Sequence, residues 1–275
     1  MSANGPVKIA WHGKHFGEEP PLVGEPNQGA GAIFFSGCNL RCVFCQNHQI
    51  SQGDVGKNVY VGDLAKIMLD LQKSGAINID LVTPTIWWRQ IKEAIFLAKR
   101  AGLKIPIVWN SNAYESSSII KEMNGLVDIY LPDFKYADDE LALKYSSVPN
   151  YLKISKQCIA EMLKQVGHLQ IENGLCKKGL IVRHLILPNN IENSLRVLAV
   201  LTSIDKNIHI SLMNQYHPMH EAKKFSELNR PLNRNEFEKV YNRLLELGFE
   251  NGWVQEEESS ECYLPNFAKQ KPFNI

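Results

Sequence analysis

The sequence predicts an α/β protein built as a partial, open (β/α)6 barrel. Three observations carry that expectation: six short apolar runs rich in β-branched and aromatic residues, amphipathic stretches of helical period between them, and glycines where those stretches stop. The runs are Ala32–Phe35, Ile77–Val82, Ile105–Trp109, Val127–Leu131, Leu180–Leu187 and Ile208–Met213. Their β-branched and aromatic content, and the turn residues around them, favour strands buried on both faces.

The helical stripes follow in order. Leu64, Ile67, Met68 and Leu71 fall on one face before Gly75; Ile91, Ala94, Ile95 and Ala98 do so before Gly102. Ile159, Met162, Leu163 and Val166 precede Gly167, and Phe237, Val240, Tyr241, Leu244 and Leu245 precede Gly248. Strands alternating with helices imply parallel pairing and right-handed crossovers. Six units are two short of a closed eightfold barrel, and a doubly wound sheet is the alternative. In both architectures ligands gather at the carboxyl ends of the strands.

The 275 residues read as one domain: a lead-in over 1–30, a βα core over 31–217, and a C-terminal helix with extension over 218–275. A net charge of +1 leaves no electrostatic footprint for nucleic acid or an anionic membrane, and neither is expected as a partner. The opening residues lack the apolar core of a signal peptide, and no run approaches the roughly 20 apolar residues of a membrane span. A cytoplasmic protein is expected.

Of six cysteines, Cys38, Cys42 and Cys45 lie within eight residues, whereas Cys158, Cys176 and Cys262 are scattered and read as ordinary thiols. The segment Phe34-Phe35-Ser36-Gly37-Cys38-Asn39-Leu40-Arg41-Cys42-Val43-Phe44-Cys45-Gln46-Asn47 starts where the first predicted strand ends. Closely spaced thiolates on a loop suit an iron–sulfur cluster, and three ligands for four irons leave one iron open for a cofactor. His48 follows Cys45 at CxxH spacing, so a Cys3His zinc site is the alternative.

The CxxxCxxC spacing, with Phe44 before the last cysteine, resembles the signature of radical S-adenosylmethionine (SAM) enzymes. The resemblance implies a [4Fe–4S] cluster on Cys38, Cys42 and Cys45 whose open iron chelates SAM. One-electron reduction then yields methionine and a 5′-deoxyadenosyl radical, and Phe44 would pack near the adenine. It also implies polar groups for SAM at the other strand ends, where the sequence has them. Thr83-Pro84-Thr85 follows the second strand, with a helix N-cap as the other reading of Thr85. Asn110-Ser111-Asn112 follows the third strand and suits ribose hydroxyls or simple turn chemistry; Asp133 and Lys135 follow the fourth. Arg183 sits in the apolar fifth run and calls for a carboxylate, for which the methionyl group would serve. His184 should face a helix, and His217 follows the sixth strand.

The whole chain resembles the pyruvate formate-lyase-activating-enzyme branch of that superfamily, and most closely its activase-like members. Shared features include Glu18-Glu19-Pro20 ahead of the first strand and the Thr-Pro-Thr segment in place of the activases' Gly-Gly-Glu motif. By motif, Asn112, Asp133, Lys135, Arg183 and His217 match positions that line the activases' SAM site. Ile86 stands where histidine is common in relatives. The resemblance implies a one-electron donor such as flavodoxin or ferredoxin, and a glycyl radical enzyme as protein substrate. Another radical modification of a protein or small molecule is the alternative.

Overall fold

The computed structural model describes residues 5–254 and 264–273. Cys262 lies outside the described residues. In chain order the elements are β1 (Val7–His15), α1 (Pro20–Val23), β2 (Ala30–Phe35), α2 (His48–Ser51), β3 (Lys57–Val59), α3 (Val61–Lys73), β4 (Ile79–Val82) and α4 (Trp88–Arg100). They continue with β5 (Ile107–Ser111), α5 (Ser117–Glu122), β6 (Ile129–Pro132), α6 (Asp139–Ser146), α7 (Tyr151–Val166), β7 (Gln170–Glu172) and β8 (Leu175–Leu185). The last are α8 (Ile191–Ile204), β9 (His209–Met213), α9 (Arg234–Glu246) and β10 (Gly252–Val254).

Among the described residues all ten strands belong to one open sheet of order β10-β9-β8-β6-β5-β4-β2-β1-β3, with β7 paired to β8. From β2 to β10 every neighbour along that path is parallel, and β1 and β3 extend the β2 edge antiparallel. The six expected strands are β2, β4, β5, β6, β8 and β9, each within a few residues of its apolar run. Four strands escaped the sequence reading. β3, β7 and β10 are only three residues long, and β1 mixes apolar and polar residues. The helical stripes bury as expected except at the end of α9, where Leu245 is half exposed.

Strand alternation divides the interior into two sides. Ile33, Phe35, Ile79, Leu81, Ile107 and Trp109 face the helices and form the main core. The opposite residues point into the barrel. Low in the barrel Val108, Ile129, Leu131 and Ile181 form a separate apolar layer, closed by Leu22 of α1. Toward the carboxyl ends polar residues join the inward positions: Asn110, Asp133, Arg183 and Ser211, with Asp80 one layer below Asn110. An apolar barrel floor with a polar mouth is the arrangement that positions the site.

His184, beside Arg183, faces the helices as strand alternation requires. Its Nδ1 lies 2.7 Å from the Phe134 carbonyl oxygen and its Nε2 lies 2.9 Å from Ser194 Oγ of α8. Burial lowers its pKa to about 4, and burial also brings His15 to about 4. The unfolded chain, with histidine near 6.5, therefore binds more protons between pH 4 and 6.5. The stability that neutral His184 contributes is whole above pH 6.5 and falls as pH drops toward 4, by up to about 1.4 kcal/mol per pH unit. Urea midpoints measured across that window should decline, and His184→Gln should flatten the decline; an unchanged slope in the variant would contradict the assignment. Among the described residues no helix is long and apolar enough to cross a membrane.

Candidate active site

The strand ends and the cysteine loop enclose a cavity of about 230 Å³. Gly37 hands β2 over to that loop. Its φ of +87° is left-handed, its N–H donates to the Ile50 carbonyl (2.8 Å), and a Cβ there would meet Ile86 at 2.7 Å. The loop then rests on the end of α6, with the Arg41 and Val43 N–H groups donating to the Ser146 and Tyr145 carbonyls.

Cys38, Cys42 and Cys45 all line the cavity, none of them in a disulfide. Each sulfur has a polar partner. The Leu40 N–H and Asn112 Nδ2 donate to Cys38 Sγ, both at 3.4 Å; Ser146 Oγ donates to Cys42 Sγ (3.0 Å); Ser51 Oγ lies 3.2 Å from Cys45 Sγ. Burial pushes all three thiols up, Cys42 to about 12, while Lys135 opposes the rise in each. Without a metal these sulfurs stay protonated; donors aimed at sulfur and a nearby cation are what bound thiolates require. The residues fit an iron–sulfur cluster. Among the described residues no three Cys, His, Asp or Glu side chains converge on a single ion. His48 is off the cavity wall, its Nδ1 3.2 Å from the Cys45 carbonyl oxygen and its ring stacked on His220 at 4.8 Å.

Of the residues expected at the strand ends, Phe44, Thr83, Asn112, Asp133, Lys135 and Arg183 line the same cavity. Phe44 is buried edge-on against Tyr216, ring centroids 6.0 Å apart. Thr83 lines the wall with φ +59°, an uncommon conformation for a β-branched residue, and its N–H donates to the Asn110 carbonyl. Ala113, next to Asn112, is also left-handed at φ +60°. Two such residues beside one cavity mark a backbone held by its surroundings.

Two expectations fall outside the cavity. Thr85 is buried behind the rim, beside the Glu115 carboxyl, and starts a short 3-10 turn without capping it. His217 is half buried and off the wall; Gln215, two residues earlier, lines it instead. The chain turns at Tyr216, whose hydroxyl donates to the Leu228 carbonyl and takes this segment away from the mouth.

Arg183 also differs from expectation. Its Nε donates to Asp133 Oδ1 (2.9 Å), its Nη1 to Glu18 Oε2 (2.8 Å) and its Nη2 to Asn110 Oδ1. The guanidinium is thus engaged by the chain's own carboxylates rather than held open for a ligand. Asp133 in turn accepts from Lys135 Nζ at 2.7 Å. Burial disfavours both charges, yet Lys135 and Arg183 hold the Asp133 carboxyl below its usual range, and Asp133 raises Lys135. Behind this group, burial raises the carboxyls of Asp80 and Glu19, against the lowering pull of Arg183. Glu18 and Asn110 were missed as partners, although Glu18-Glu19-Pro20 stood out in the sequence; only the fold brings residue 18 to residue 183.

Residues 32–199 match the description of the radical SAM superfamily, more than half of the chain. The chain belongs to the radical SAM superfamily. The cofactors of this superfamily, a [4Fe–4S] cluster and SAM, are therefore those of the chain. Among curated relatives, an uncharacterized protein of Methanocaldococcus jannaschii is 34% identical over 239 residues, covering 82% of this chain and 63% of its own length. The pyruvate formate-lyase 1-activating enzyme of Escherichia coli is 23% identical over 123 residues, covering 43% of this chain and 50% of its own. The chain thus spans less than two thirds of either relative. Among solved structures, Streptococcus suis SuiB bound to precursor peptide SuiA matches with a TM-score of 0.56 at 14% identity, covering 80% of this chain and 47% of that one. SuiB bound to SAM matches with a TM-score of 0.55 at the same identity. These likenesses bear on the fold: an open α/β sheet.

Proposed function

We propose that this radical SAM protein carries its cluster on Cys38, Cys42 and Cys45, cleaves SAM reductively, and takes a hydrogen atom from a polypeptide. When bound, the cluster and SAM supply a carbon radical made by one-electron reduction, for which a donor such as flavodoxin or ferredoxin is needed. The observation that carries this reading is the meeting of three polar-partnered thiols and the Asp133–Lys135 pair on one cavity wall.

The chain's own part is to bind, orient and exclude water. Asn112 donates to Cys38 Sγ and to Asn39 Oδ1 (2.7 Å), tying the cysteine loop to the end of β5. Phe44 offers an apolar face, Thr83 a hydroxyl and carbonyl on the rim, and Lys135 a positive charge beside the sulfurs. Arg183 is a positioning residue, holding Asp133 and Asn110 in register. Phe34, Leu185 and Met213 close the wall with apolar surface.

The polypeptide target draws support from the E. coli relative, named for activating pyruvate formate-lyase, and from SuiB, solved with a precursor peptide. A glycyl radical enzyme is the target we favour. Anaerobically reconstituted protein, given SAM, dithionite and a candidate glycyl radical enzyme, should form 5′-deoxyadenosine together with a glycyl radical doublet in the electron paramagnetic resonance spectrum. 5′-Deoxyadenosine without the doublet would keep SAM cleavage and discard the glycyl target; no 5′-deoxyadenosine would overturn the enzyme reading.

A further inference from the structure

Beside the cavity lies an apolar cluster distinct from the main core. It joins inward-facing Ala32 and Phe34 of β2, Val82 of β4 and Ile50 of α2 to Phe267 of the C-terminal segment, with Trp11 and Phe273 packed against it. Four aromatic side chains and one imidazole meet there. Phe273 lies 4.3 Å from His15, 5.2 Å from Trp11 and 5.3 Å from Phe34 between ring centroids, and Phe267 lies 5.5 Å from Phe34. Pro265 and Phe273 themselves line the cavity, together with His15 and Phe34 and with residues of the cysteine loop. The segment therefore forms part of the cavity's own wall.

Its attachment is mostly through side chains. Residues 264–273 fold on themselves, with the Asn266 N–H donating to the Pro272 carbonyl and the Lys269 N–H to the Asn266 carbonyl. Among the described residues, its hydrogen bond to the body runs from the Phe267 N–H to Gln49 Oε1 of α2, 2.7 Å. A turned stretch of polypeptide thus sits at the mouth, anchored by two aromatic side chains and little backbone pairing. Aromatic anchors in a ring-lined pocket are a recurring way for one polypeptide to hold another.

We propose that the Trp11–His15–Phe34 box is the docking pocket for an aromatic side chain of the polypeptide substrate, filled in the resting chain by its own Phe273. This rests on the polypeptide reading above. Substrate binding then exchanges one aromatic anchor for another, so that the cavity opens to the substrate's neighbouring carbons as the C-terminal segment leaves.

The test is a calorimetric titration of full-length, cluster-loaded, unreduced protein, so docking is read whether or not SAM is cleaved. The probe is a synthetic peptide with the sequence of residues 264–275. Phe267→Ala/Phe273→Ala protein should bind it at least tenfold tighter than the wild type, whose pocket is filled. An order-scrambled peptide keeping both phenylalanines should bind within about threefold of the native order, and a peptide with both replaced by alanine at least tenfold weaker. Phe273→Leu, a gentler change, should give the same ranking with smaller differences. Iodide quenching of Trp11, with Trp11→Phe as blank, should rise in both variants and fall when peptide binds. Binding of the native order alone would make the box a joint for this tail. Equal binding of the alanine peptide would remove aromatic recognition, and equal binding of N-acetylphenylalanine amide would reassign the pocket to small molecules; each overturns the proposal.

Discussion

Cys42→Ala is expected to lose the iron–sulfur cluster and SAM cleavage together, with the fold retained. Cys42 is buried, its Sγ accepts from Ser146 Oγ, and its thiol is pushed up to about 12. Among the described residues no cysteine besides Cys38 and Cys45 shares the cavity wall with it, so no further thiol is placed to replace it. Loss of one sulfur in the cluster-free chain should cost about 1 kcal/mol, because Cys42 borders an existing cavity and its truncation leaves no new enclosed void. Iron content, the visible absorbance of the reconstituted protein and 5′-deoxyadenosine formation should all fall to background. Cys158→Ala is the control: that thiol is buried within α7, off the cavity wall, and its loss should leave all three readings unchanged. A brown, SAM-cleaving Cys42→Ala protein would refute the ligand assignment.

Arg183→Met is expected to lower stability by about 3–5 kcal/mol, the cost of leaving buried carboxylates without their cation. Asp133, Glu18 and Arg183 have side chains between 8% and 21% exposed, so solvent screening gives little relief. Burial has already turned the Asp80 and Glu19 carboxyls toward their neutral forms, leaving Glu18 and Asp133 as the carboxylates that gain charge-assisted bonds from Arg183. In the variant, Asp133, Glu19 and Asp80 should all titrate higher, since each loses the lowering that the Arg183 charge exerts. The deficit should then shrink as pH falls from 7 toward 5, because the folded variant takes up protons the unfolded chain does not. Arg183→Lys should recover only part of the loss, since an ammonium lacks the fork that reaches Asp133, Glu18 and Asn110 at once. Denaturant midpoints at several pH values would check both points, and a wild-type midpoint in Arg183→Met would show that the network contributes no stability.

Much of the fold was legible in the sequence because its signals are local. Strands buried on both faces favour apolar runs, and a run such as Ala32–Phe35 has no competing periodicity. β3, β7 and β10 carry no such signal: three residues paired on one side are set by what they pair with. Part of the site was local too. Cys38, Cys42 and Cys45 share a loop, and Asp133 and Lys135 are two residues apart, so their meeting needs no long-range information. Thr85 and His217 show the limit of that reasoning. Each follows a strand, but the chain's direction after a strand end depends on what the next segment packs against.

What the sequence determined by itself is the radical SAM framework: parallel strands ending in polar residues, and three thiols at the end of the first of them. Short-range spacing and periodicity encode both, and both survive in the structure. Only the tertiary structure decided how Arg183 is used, joining residues 18, 110, 133 and 183 into one buried group. It alone also brought Phe267 and Phe273 back over Trp11 and Phe34, more than 200 residues away in the chain. Those contacts arise from burial and charge pairing between distant segments, which no window of sequence contains.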